Sequence, residues 1–268
     1  MLFYHSFGEV MGKIISIVNQ KGGVGKTTTA INLAASLTHY EKNVLLIDLD
    51  PQCNASTGVG YEFNEDNLTI YDVLIEDKVS DAVRQVENYK NFSYIPSDSE
   101  LVGLELEFAD DSKRIFLLKE KLDEVKKVYD YILIDCPPSL NTLTLNALIA
   151  SNSVIIPLQT EFYAMEGLIS LSSTLKLVQQ SLNTTLKVEG ILFTMFDSRT
   201  TLSRQVVKNV VNEAPFPIFN TLIPRNVSLS EAPSHGESII TYSKSSKGAR
   251  AYIKLAKELI NGEIYGKK

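Results

Sequence analysis

A glycine-rich turn between two regular segments constrains the fold of this chain more than any other feature. Residues 21–29 read KGGVGKTTT; they follow the β-branched run IISIV and precede a helical pattern of apolar residues. Closely spaced glycines let the backbone approach an anion, and the N–H groups at a helix start attract the same charge. A turn of this kind between a strand and a helix is typical of phosphate-binding loops. The sequence therefore predicts an α/β fold with a phosphate site beside its first strand.

The residue order within this turn predicts which groups contact the phosphates. Lys26 has the length and charge to reach the terminal phosphates, and the hydroxyl of Thr27 suits a Mg²⁺ ligand. The predicted phosphate contacts are Gly22, Gly23, Val24, Gly25, Lys26, Thr27 and Thr28. The general pattern G-x-x-x-x-G-K-[ST] would place its first glycine at position 20, but Gln20 stands there and a second lysine, Lys21, begins the loop. An unpaired lysine beside Lys26 is unfavourable without a bound anion and useful with one.

Acidic residues stand at the ends of two other strand-like runs. The run VLLID is followed by LDPQ, which places Asp48 and Asp50 two residues apart, and the run YILID ends in Asp135. Carboxylates at the C-terminal ends of parallel strands lie over the crevice where such sheets bind ligands. An apolar run ending in Asp is the Walker B pattern, so we expect Asp135 to contact Mg²⁺ directly or through water. Of Asp48 and Asp50, one carboxylate is expected to orient an attacking water and the other to hold metal-bound water. Their spacing does not determine which residue has which role.

Strand-like and helix-like segments alternate along the chain. Several strand candidates are apolar on both faces, as VLLID and YILID are, which a central strand covered by helices on both sides requires. Such units predict a doubly wound, mostly parallel central sheet flanked by helices, in one domain over residues 11–268, with 1–10 as a loose tail or mis-assigned start. The candidate strands are 14–19, 44–48, 92–95, 131–135, 154–158, 190–194, 219–223 and 239–242. Apolar residues at helical spacing predict helices around 30–37, 118–129, 168–182 and 251–260.

Composition narrows the class of protein. The chain has 268 residues, 44% of them hydrophobic and 22% charged, which is ordinary for a globular protein and excludes a disordered or collagen-like chain. No apolar run approaches the roughly 20 residues that span a bilayer, so we expect no stable membrane insertion. Two cysteines, Cys53 and Cys136, are too few for a disulfide framework, which favours a reducing cytoplasmic setting. The net charge of −6 is uneven: residues 62–130 hold nine basic against eighteen acidic side chains, whereas 197–268 hold eleven against six and form a candidate surface for phosphates.

Four motifs together resemble those of one family. The loop K-G-G-x-G-K-[ST] is the deviant Walker A signature, and it is joined here by DLDPQ, by DCPPSL and, at residues 223–236, by IPRNVSLSEAPSHG. On these motifs the chain resembles the ParA/Soj partition ATPases, within a group that also includes MinD and the nitrogenase iron protein. The match runs over nearly the whole chain from Met11 onward. It implies the fold of a deviant P-loop NTPase, with ATP and Mg²⁺ as its ligands.

The resemblance also implies roles for individual residues. Lys21 would cross to the nucleotide of a partner subunit, so that two ATP molecules are enclosed in a homodimer. The catalytic position of the family's D-x-D-P-Q motif maps onto Asp50, which leaves Asp48 structural or linked to the metal. The loop that holds Pro224 and Asn226 would contact the adenine. The implied catalytic set is Lys21, Lys26 and Asp50.

The function implied by the resemblance is ATP-dependent DNA segregation. Mg-ATP would close a dimer that binds double-stranded DNA non-specifically, and slow hydrolysis, stimulated by a ParB/Spo0J-like centromere-binding partner, would release it. The implied location is the cytoplasm, in association with the nucleoid, and both chromosome and plasmid remain open as cargo. Basic residues near the C-terminal end are the candidate DNA contacts, because neutralising phosphates requires no reading of bases. The predicted DNA contacts are Arg199, Arg225, Lys247 and Arg250.

Two other classes of protein are alternatives. A membrane-associated regulator like MinD needs an amphipathic anchor. Residues 251–260 have apolar side chains at helical spacing, but we expect them to form the last helix of the domain itself. An iron–sulfur reductase component like the nitrogenase iron protein needs cluster ligands, and Cys53 and Cys136 lie within the two acidic-strand motifs instead.

Overall fold

Seven strands of the described residues form the centre of the molecule. The computed structural model describes residues 11–76, 78–108 and 114–263, and the tail predicted at 1–10 lies outside the described residues. The strands are β1 (Lys13–Ile17), β2 (Val44–Asp48), β3 (Arg84–Gln85), β4 (Phe92–Ile95), β5 (Tyr131–Asp135), β6 (Ser153–Gln159) and β7 (Lys187–Thr194). They form one sheet in the order β3-β4-β2-β5-β1-β6-β7, parallel throughout except for the pair β3–β4. The predicted mostly parallel sheet is confirmed.

Helices cover both faces of this sheet. Successive strand residues belong to opposite hydrophobic clusters, with Ile14 and Leu45 on one face and Ile15 and Leu46 on the other. All four are buried, because alternate side chains of a strand point to opposite faces. The helices are α1 (Lys26–Thr38), α2 (Asn54–Gly58), α3 (Ile70–Ile75), α4 (Val79–Ala82), α5 (Leu101–Phe108), α6 (Leu117–Leu122), α7 (Thr142–Ala150), α8 (Ala164–Ser181), α9 (Thr201–Glu213), α10 (Val227–Glu231), α11 (Ile239–Tyr242) and α12 (Lys247–Asn261), with 3₁₀ turns at Arg114–Phe116 and Ala232–His235. The doubly wound α/β architecture is therefore confirmed.

The strand order reverses at β1, and this reversal determines where a ligand can bind. In the strand order, β5 and β2 lie to one side of β1, and β6 and β7 lie to its other side. Loops that follow neighbouring strands diverge at such a reversal and leave a crevice at the carboxyl ends. Asp48 and Asp135 lie side by side there, because they are register partners at the ends of β2 and β5. The fold therefore gathers the turn 21–29 and the acidic strand ends at one edge.

One predicted strand, at residues 219–223, is wrong. The segment runs beside β7, and the N–H of Phe219 donates to the carbonyl of Ile191 at 3.0 Å. Only isolated bridges form, however, and not a further strand of the sheet. The N–H groups of Asn220 and Thr221 donate to the carboxylate of Glu258 in α12 and not to β7, so pairing with β7 is interrupted within the segment.

The strand predicted at residues 239–242 is also wrong, because this segment forms α11. The hydroxyl of Ser238 accepts hydrogen bonds from the N–H groups of Ile240 and Thr241 and so caps a helical turn. The helix predicted across 118–129 is shorter than expected, since turns follow α6. Strand β3 was not predicted, because two residues are too few to show an alternating pattern.

The last helix belongs to the same core as the sheet. Tyr252, Leu255 and Leu259 of α12 are buried in the hydrophobic cluster on one face, and α12 packs along α1. The helix predicted at 251–260 is thus confirmed within α12, and its apolar side is covered. Among the helices of the described residues, none is long and apolar enough to cross a membrane.

Two glycines in the left-handed region provide a matched test of close backbone packing. Gly236 and Gly262 have φ of +65° and +66°, so alanine at either position carries similar strain, about 1 kcal/mol. A Cβ at 236 would lie 2.7 Å from the Cα of Gly60, whereas a Cβ at 262 would meet nothing within 4 Å. We expect urea denaturation to show a loss of about 3 kcal/mol in the free energy of unfolding for Gly236→Ala and about 1 kcal/mol for Gly262→Ala. Equal losses would show that the contact between Gly236 and Gly60 does not constrain the fold.

Candidate functional site

The turn 21–29 lies between β1 and α1 at the carboxyl edge of the sheet. Gly23 and Gly25 have φ of +73° and +88°, a region that residues with a side chain rarely adopt. Gly25 is the N-cap of α1, so the helix starts at Lys26 and its first N–H groups lie at the turn. This geometry suits an anion.

Lys26 carries a charge that no salt bridge balances within the described part of the chain. The residue is only 7% exposed, and its amine donates to the carbonyl of Lys21 at 3.3 Å. Burial lowers the pKa of Lys26, while the nearby carboxylate of Asp135 opposes that shift. A desolvated ammonium with one long hydrogen bond gains much from a bound anion.

Asp48 is buried but well supplied with hydrogen bonds. One carboxylate oxygen accepts from the N–H and the hydroxyl of Ser56, each at 2.7 Å, and the other accepts from the N–H of Asp50 at 3.2 Å. Burial is the main cause that raises the pKa of Asp48 to about 6, and these hydrogen bonds limit the rise. The chain itself thus uses most of the oxygen lone pairs, which favours a structural role for Asp48 over a metal ligand.

Asp135 is fully buried, yet neither carboxylate oxygen accepts a hydrogen bond from a described residue. Burial raises its pKa well above the usual value, the charge of Asp48 adds to the rise, and Thr27 and Lys26 oppose it. Thr27 lies close enough to affect the carboxylate but makes no hydrogen bond of normal geometry to it. Buried oxygens without partners are unusual. A cation between Asp135 and the Thr27 hydroxyl would satisfy both, and such oxygen donors suit Mg²⁺.

A cavity of about 470 Å³ opens beside Lys26 and Thr27 and brings together most of the predicted phosphate and catalytic residues, whereas Asp48 and Asp135 are not among its lining residues. The carboxylate of Asp50, which is 7% exposed, accepts from the N–H of Gln52 at 3.0 Å. Val24 does not line the cavity, and its carbonyl instead accepts from the Thr194 hydroxyl at 2.8 Å. The lining residues are Gly22, Gly23, Gly25, Lys26, Thr27, Thr28, Asp50, Gln52, Asn54, Pro138 and Met195.

A second cavity, of about 150 Å³, continues from the first. The two share Gly25, Thr28 and Met195, so one ligand can extend from one cavity into the other. Pro224 and Asn226 line the second cavity, as a base-contacting loop would. The side-chain oxygen of Asn226 is buried and accepts no hydrogen bond from a described residue. The complete lining is Gly25, Thr28, Thr194, Met195, Ile223, Pro224, Arg225, Asn226, Leu229, Ser230 and Tyr252.

Met195 joins the two cavities in a strained backbone conformation. Its φ of +50° lies in the left-handed region, which a bulky residue rarely adopts. The next residue, Phe196, donates its N–H to the carbonyl of Ile223 at 3.0 Å and accepts from the N–H of Arg225 at 3.1 Å. These bonds hold the end of β7 against the loop of the second cavity. Met195 was not predicted as a site residue, because a left-handed non-glycine residue leaves no sequence pattern.

Lys21 lies outside the lining of both cavities. Its amine forms an ion pair with Glu161, in the loop between β6 and α8, and each side chain is 46% exposed. The amine is therefore held by a carboxylate of the same chain. Glu161 was not predicted, because nothing in its sequence position indicates that it lies beside Lys21.

Two of the predicted DNA contacts lie in a partly neutralised region. Arg225 lines the second cavity. Arg199, in the loop after β7, donates to both carboxylate oxygens of Asp197 at 2.9 and 2.7 Å. This pairing lowers the pKa of Asp197 to about 2, and Arg225 contributes to the shift. Asp197 therefore offsets part of the positive charge that these arginines bring.

The other two predicted DNA contacts begin a basic stripe along α12. Its four exposed members follow one another at helical spacings of three and four residues, over about 15 Å. They are Lys247, Arg250, Lys254 and Lys257. The acid of α12, Glu258, is buried and accepts hydrogen bonds from residues 220–221, so it does not neutralise the stripe.

Comparison with known proteins shows a relationship over nearly the whole chain. A family model described as an AAA domain matches residues 12–188. The sporulation initiation inhibitor protein Soj of Bacillus subtilis is 51% identical over 249 residues, which cover 93% of this chain and 98% of that protein. The chromosome-partitioning ATPase Soj of Treponema pallidum is 51% identical over 250 residues, with the same coverage of 93% and 98%.

A solved structure of another protein is similar to this chain in fold. Cobyrinic acid a,c-diamide synthase from Mycobacterium smegmatis, with bound ADP and magnesium, has a TM-score of 0.82 and 35% identity, and the similarity covers 94% of this chain and 95% of that one. The likeness thus extends over nearly the whole chain and is not limited to the turn 21–29. The chain belongs to the Soj/ParA family of chromosome-partitioning ATPases.

Proposed function

We propose that this protein is an ATP-driven switch for DNA segregation, in which Mg-ATP closes a homodimer, the dimer binds DNA without sequence preference, and hydrolysis releases it. The observation that carries the proposal is the continuous pair of cavities. The first is lined by Lys26, whose charge no salt bridge of the described residues balances, and the buried, unpaired carboxylate of Asp135 lies near that lysine. The second is lined by Asn226, whose side-chain oxygen has no hydrogen-bond partner among the described residues. ATP has the complementary groups: anionic phosphates with Mg²⁺ at one end and a hydrogen-bonding base at the other. The bound ADP and magnesium of the Mycobacterium smegmatis structure support this assignment.

In the first cavity, groups of this chain would bind and orient the triphosphate. The N–H groups of the turn 21–29 and the amine of Lys26 would hold phosphate oxygens, and the bound anion would balance a lysine that burial disfavours. Thr27 and Asp135 would hold Mg²⁺, with Asp135 acting directly or through water. The ion would offset the charge on the phosphates. Asp135 must be ionised for this purpose, so we expect its raised pKa to fall when the cation binds.

Asp50 is the residue that we assign to orienting the attacking water, because its carboxylate lines the phosphate cavity. Hydrolysis also needs positive charge at the terminal phosphate as the transition state forms. Lys21 of a second copy would supply it. Because Lys21 of the single chain is paired with Glu161, we expect hydrolysis to be slow until two copies meet.

Two substitutions separate ATP binding from hydrolysis. Lys26→Ala is expected to abolish ATP binding, since it removes the buried charge in the phosphate cavity. Asp50→Ala is expected to leave binding intact and to lower turnover about 100-fold or more. Binding is measured by titration with a fluorescent ATP analogue and turnover by phosphate release, with Lys176→Ala, at an exposed lysine of α8, as the control. A Lys26→Ala protein with normal ATP affinity would refute the nucleotide site.

Asn226 is expected to select the base. Its amide can both donate to and accept from the edge of an adenine. Asn226→Ala should weaken ATP binding about tenfold, the effect of a lost hydrogen bond of roughly 1.4 kcal/mol. Titration with inorganic triphosphate should show no change. Equal losses for the two ligands would place the effect of Asn226 in the phosphate cavity and not at the base.

The basic stripe of α12 is physically joined to the proposed ATP site. Tyr252, on the buried side of α12, lines the second cavity, and its hydroxyl lies 3.2 Å from that of Thr29 in α1. At the start of α12, Gly248 packs against the loop of the second cavity: a Cβ there would lie 2.9 Å from the side-chain oxygen of Asn226. ATP in the cavities would therefore contact the same elements that position the stripe.

Two copies of the stripe in one dimer would neutralise DNA phosphates, and salt dependence tests this. In the ATP-loaded Asp50→Ala protein, Arg250→Ala and Lys254→Ala should each weaken DNA binding and reduce the slope of log affinity against log salt by about 0.9 per lost phosphate contact. Fluorescence anisotropy with a random-sequence duplex measures this slope. Arg225 is unsuited to the test because it also lines the second cavity.

The control for the salt series is Lys176→Ala, which removes an exposed charge from α8. We expect this variant to keep the parent slope. If both stripe variants also kept it, α12 would not belong to the DNA surface. ATP affinity should be the same in all four proteins, so that any loss of DNA binding cannot result from an empty nucleotide site.

Release from DNA is assigned to a ParB/Spo0J-like centromere-binding partner that stimulates hydrolysis. The relatives named for chromosome partitioning support this place in the cell, in the cytoplasm and in association with the nucleoid. ATP turnover, measured alone, with DNA, and with DNA plus the ParB-like protein, tests the assignment. A rate that the partner does not raise would contradict it.

The described residues favour this proposal over the two alternative classes. Membrane anchoring through α12 would need an exposed apolar face, but Tyr252, Leu255 and Leu259 are buried. Iron–sulfur ligation needs thiolates, and burial raises the pKa of the Cys53 thiol to about 11 and also raises that of Cys136. Both findings leave the DNA-segregation switch as the better account.

A further inference from the structure

We infer that Phe162, Tyr163 and Ile169 form a contact surface for a second copy of this chain in the ATP-bound state. We call these three residues the apolar shoulder. The inference rests on the proposed function, because it requires Lys21 to reach the nucleotide of another subunit. It adds an anchoring surface to that dimer, made of residues that neither line the cavities nor belong to any of the four sequence motifs.

The apolar shoulder is unusually exposed for its chemistry. Phe162 is 74% exposed, Tyr163 is 63% exposed and Ile169 is 61% exposed. The two aromatic rings touch only edge to face, with centroids 5.1 Å apart, and so leave their outer surfaces to solvent. Single exposed apolar residues are common, but neighbouring aromatic residues at a surface are typical of protein interfaces.

The position of the apolar shoulder beside Lys21 is stronger evidence for an interface than its exposure is. Phe162 and Tyr163 follow directly on Glu161, whose carboxylate is paired with the amine of Lys21. Next to Ile169 on α8, the hydroxyl of Ser170 donates to the side-chain oxygen of Gln20 at 3.1 Å. Both ends of the shoulder are therefore tied to the start of the phosphate loop.

This placement indicates a second copy as the occupant. If Lys21 leaves Glu161 for a nucleotide in another subunit, the surface around Glu161 must face that subunit. Consecutive Cα atoms are only about 3.8 Å apart, so the backbone of Phe162 cannot lie outside such an interface. The exposed Lys21–Glu161 pair is easily given up, because solvated ion pairs contribute little. Buried aromatic residues, by contrast, are common anchors of interfaces.

Leu177 provides a matched control on the same helix. It is 63% exposed, as much as Tyr163, but it lies eight residues beyond Ile169, about 12 Å along α8. A general effect of surface hydrophobicity on association would therefore appear in Leu177→Ala as well. An effect of the interface around Lys21 would not.

The test measures dimerisation in the hydrolysis-blocked Asp50→Ala parent with Mg-ATP, by sedimentation velocity over a range of concentrations. We expect the double variant Phe162→Ala/Tyr163→Ala to raise the dimer dissociation constant roughly 30-fold or more. Phe162→Tyr, which keeps the ring, should dimerise like the parent, and so should Leu177→Ala. Ile169→Lys is a second, independent variant, which should also weaken the dimer because it places a charge on the same surface.

Each outcome is decisive. Thermal melting without nucleotide should give parent values for all variants, since the altered side chains are exposed and line neither cavity. ATP affinity should also be unchanged when a fluorescent analogue is titrated at protein concentrations too low for the parent to dimerise, because dimerisation and ATP binding are linked above them. A parent that stays monomeric with ATP would refute the proposed dimer itself and the shoulder with it. If the parent dimerises and the variants dimerise with the same dissociation constant, only the inference about the apolar shoulder is refuted. Variants that dimerise normally but lose stimulation by the ParB-like protein would assign the shoulder to that partner and overturn our inference.

Discussion

The cost of burying charge at one edge of a parallel sheet is the constraint on which this structure depends. Strands β1, β2 and β5 end side by side, and their ends bring Lys26, Asp48 and Asp135 out of water together. For Asp48, hydrogen bonds donated by Ser56 offset that cost. Asp135 has no such partners, and Lys26 has one long hydrogen bond. The site therefore favours a ligand that carries both an anion for the lysine and a cation for the carboxylate, which describes Mg-ATP.

A second consequence of the fold is the closeness of segments that are far apart in the chain. The phosphate-loop helix α1, the loop around Asn226 and the last helix α12 meet at Tyr252 and Gly248. The same helix carries the basic stripe on its solvent side. Because packed elements move together, ATP bound in the proposed site would also affect the surface proposed for DNA. The apolar shoulder beside Lys21 would similarly join ATP binding to subunit contact.

Local patterns made much of this architecture predictable. The turn 21–29 between a strand and a helix, the central strands and the acidic strand ends were all correctly placed, because each combines a strongly patterned run with a distinctive end. Prediction failed where local pattern competes with context. Residues 239–242 are apolar and β-branched, as a strand would be, but the Ser238 hydroxyl caps a helical turn there. Residues 219–223 run beside β7, but Glu258 of α12 accepts the hydrogen bonds of the Asn220 and Thr221 N–H groups, so no continuous ladder forms.

The sequence by itself determined the turn of the candidate phosphate site, because its glycines, Lys26 and Thr27 lie within one short run whose residue order requires no distant contact to specify. Only the tertiary structure decided what surrounds that site. The pairing of Lys21 with Glu161, the left-handed Met195 between two cavities and the missing partners of Asp135 all depend on segments brought together across the sheet. Proximity and burial arise from packing between distant parts of the chain, and a linear pattern contains neither.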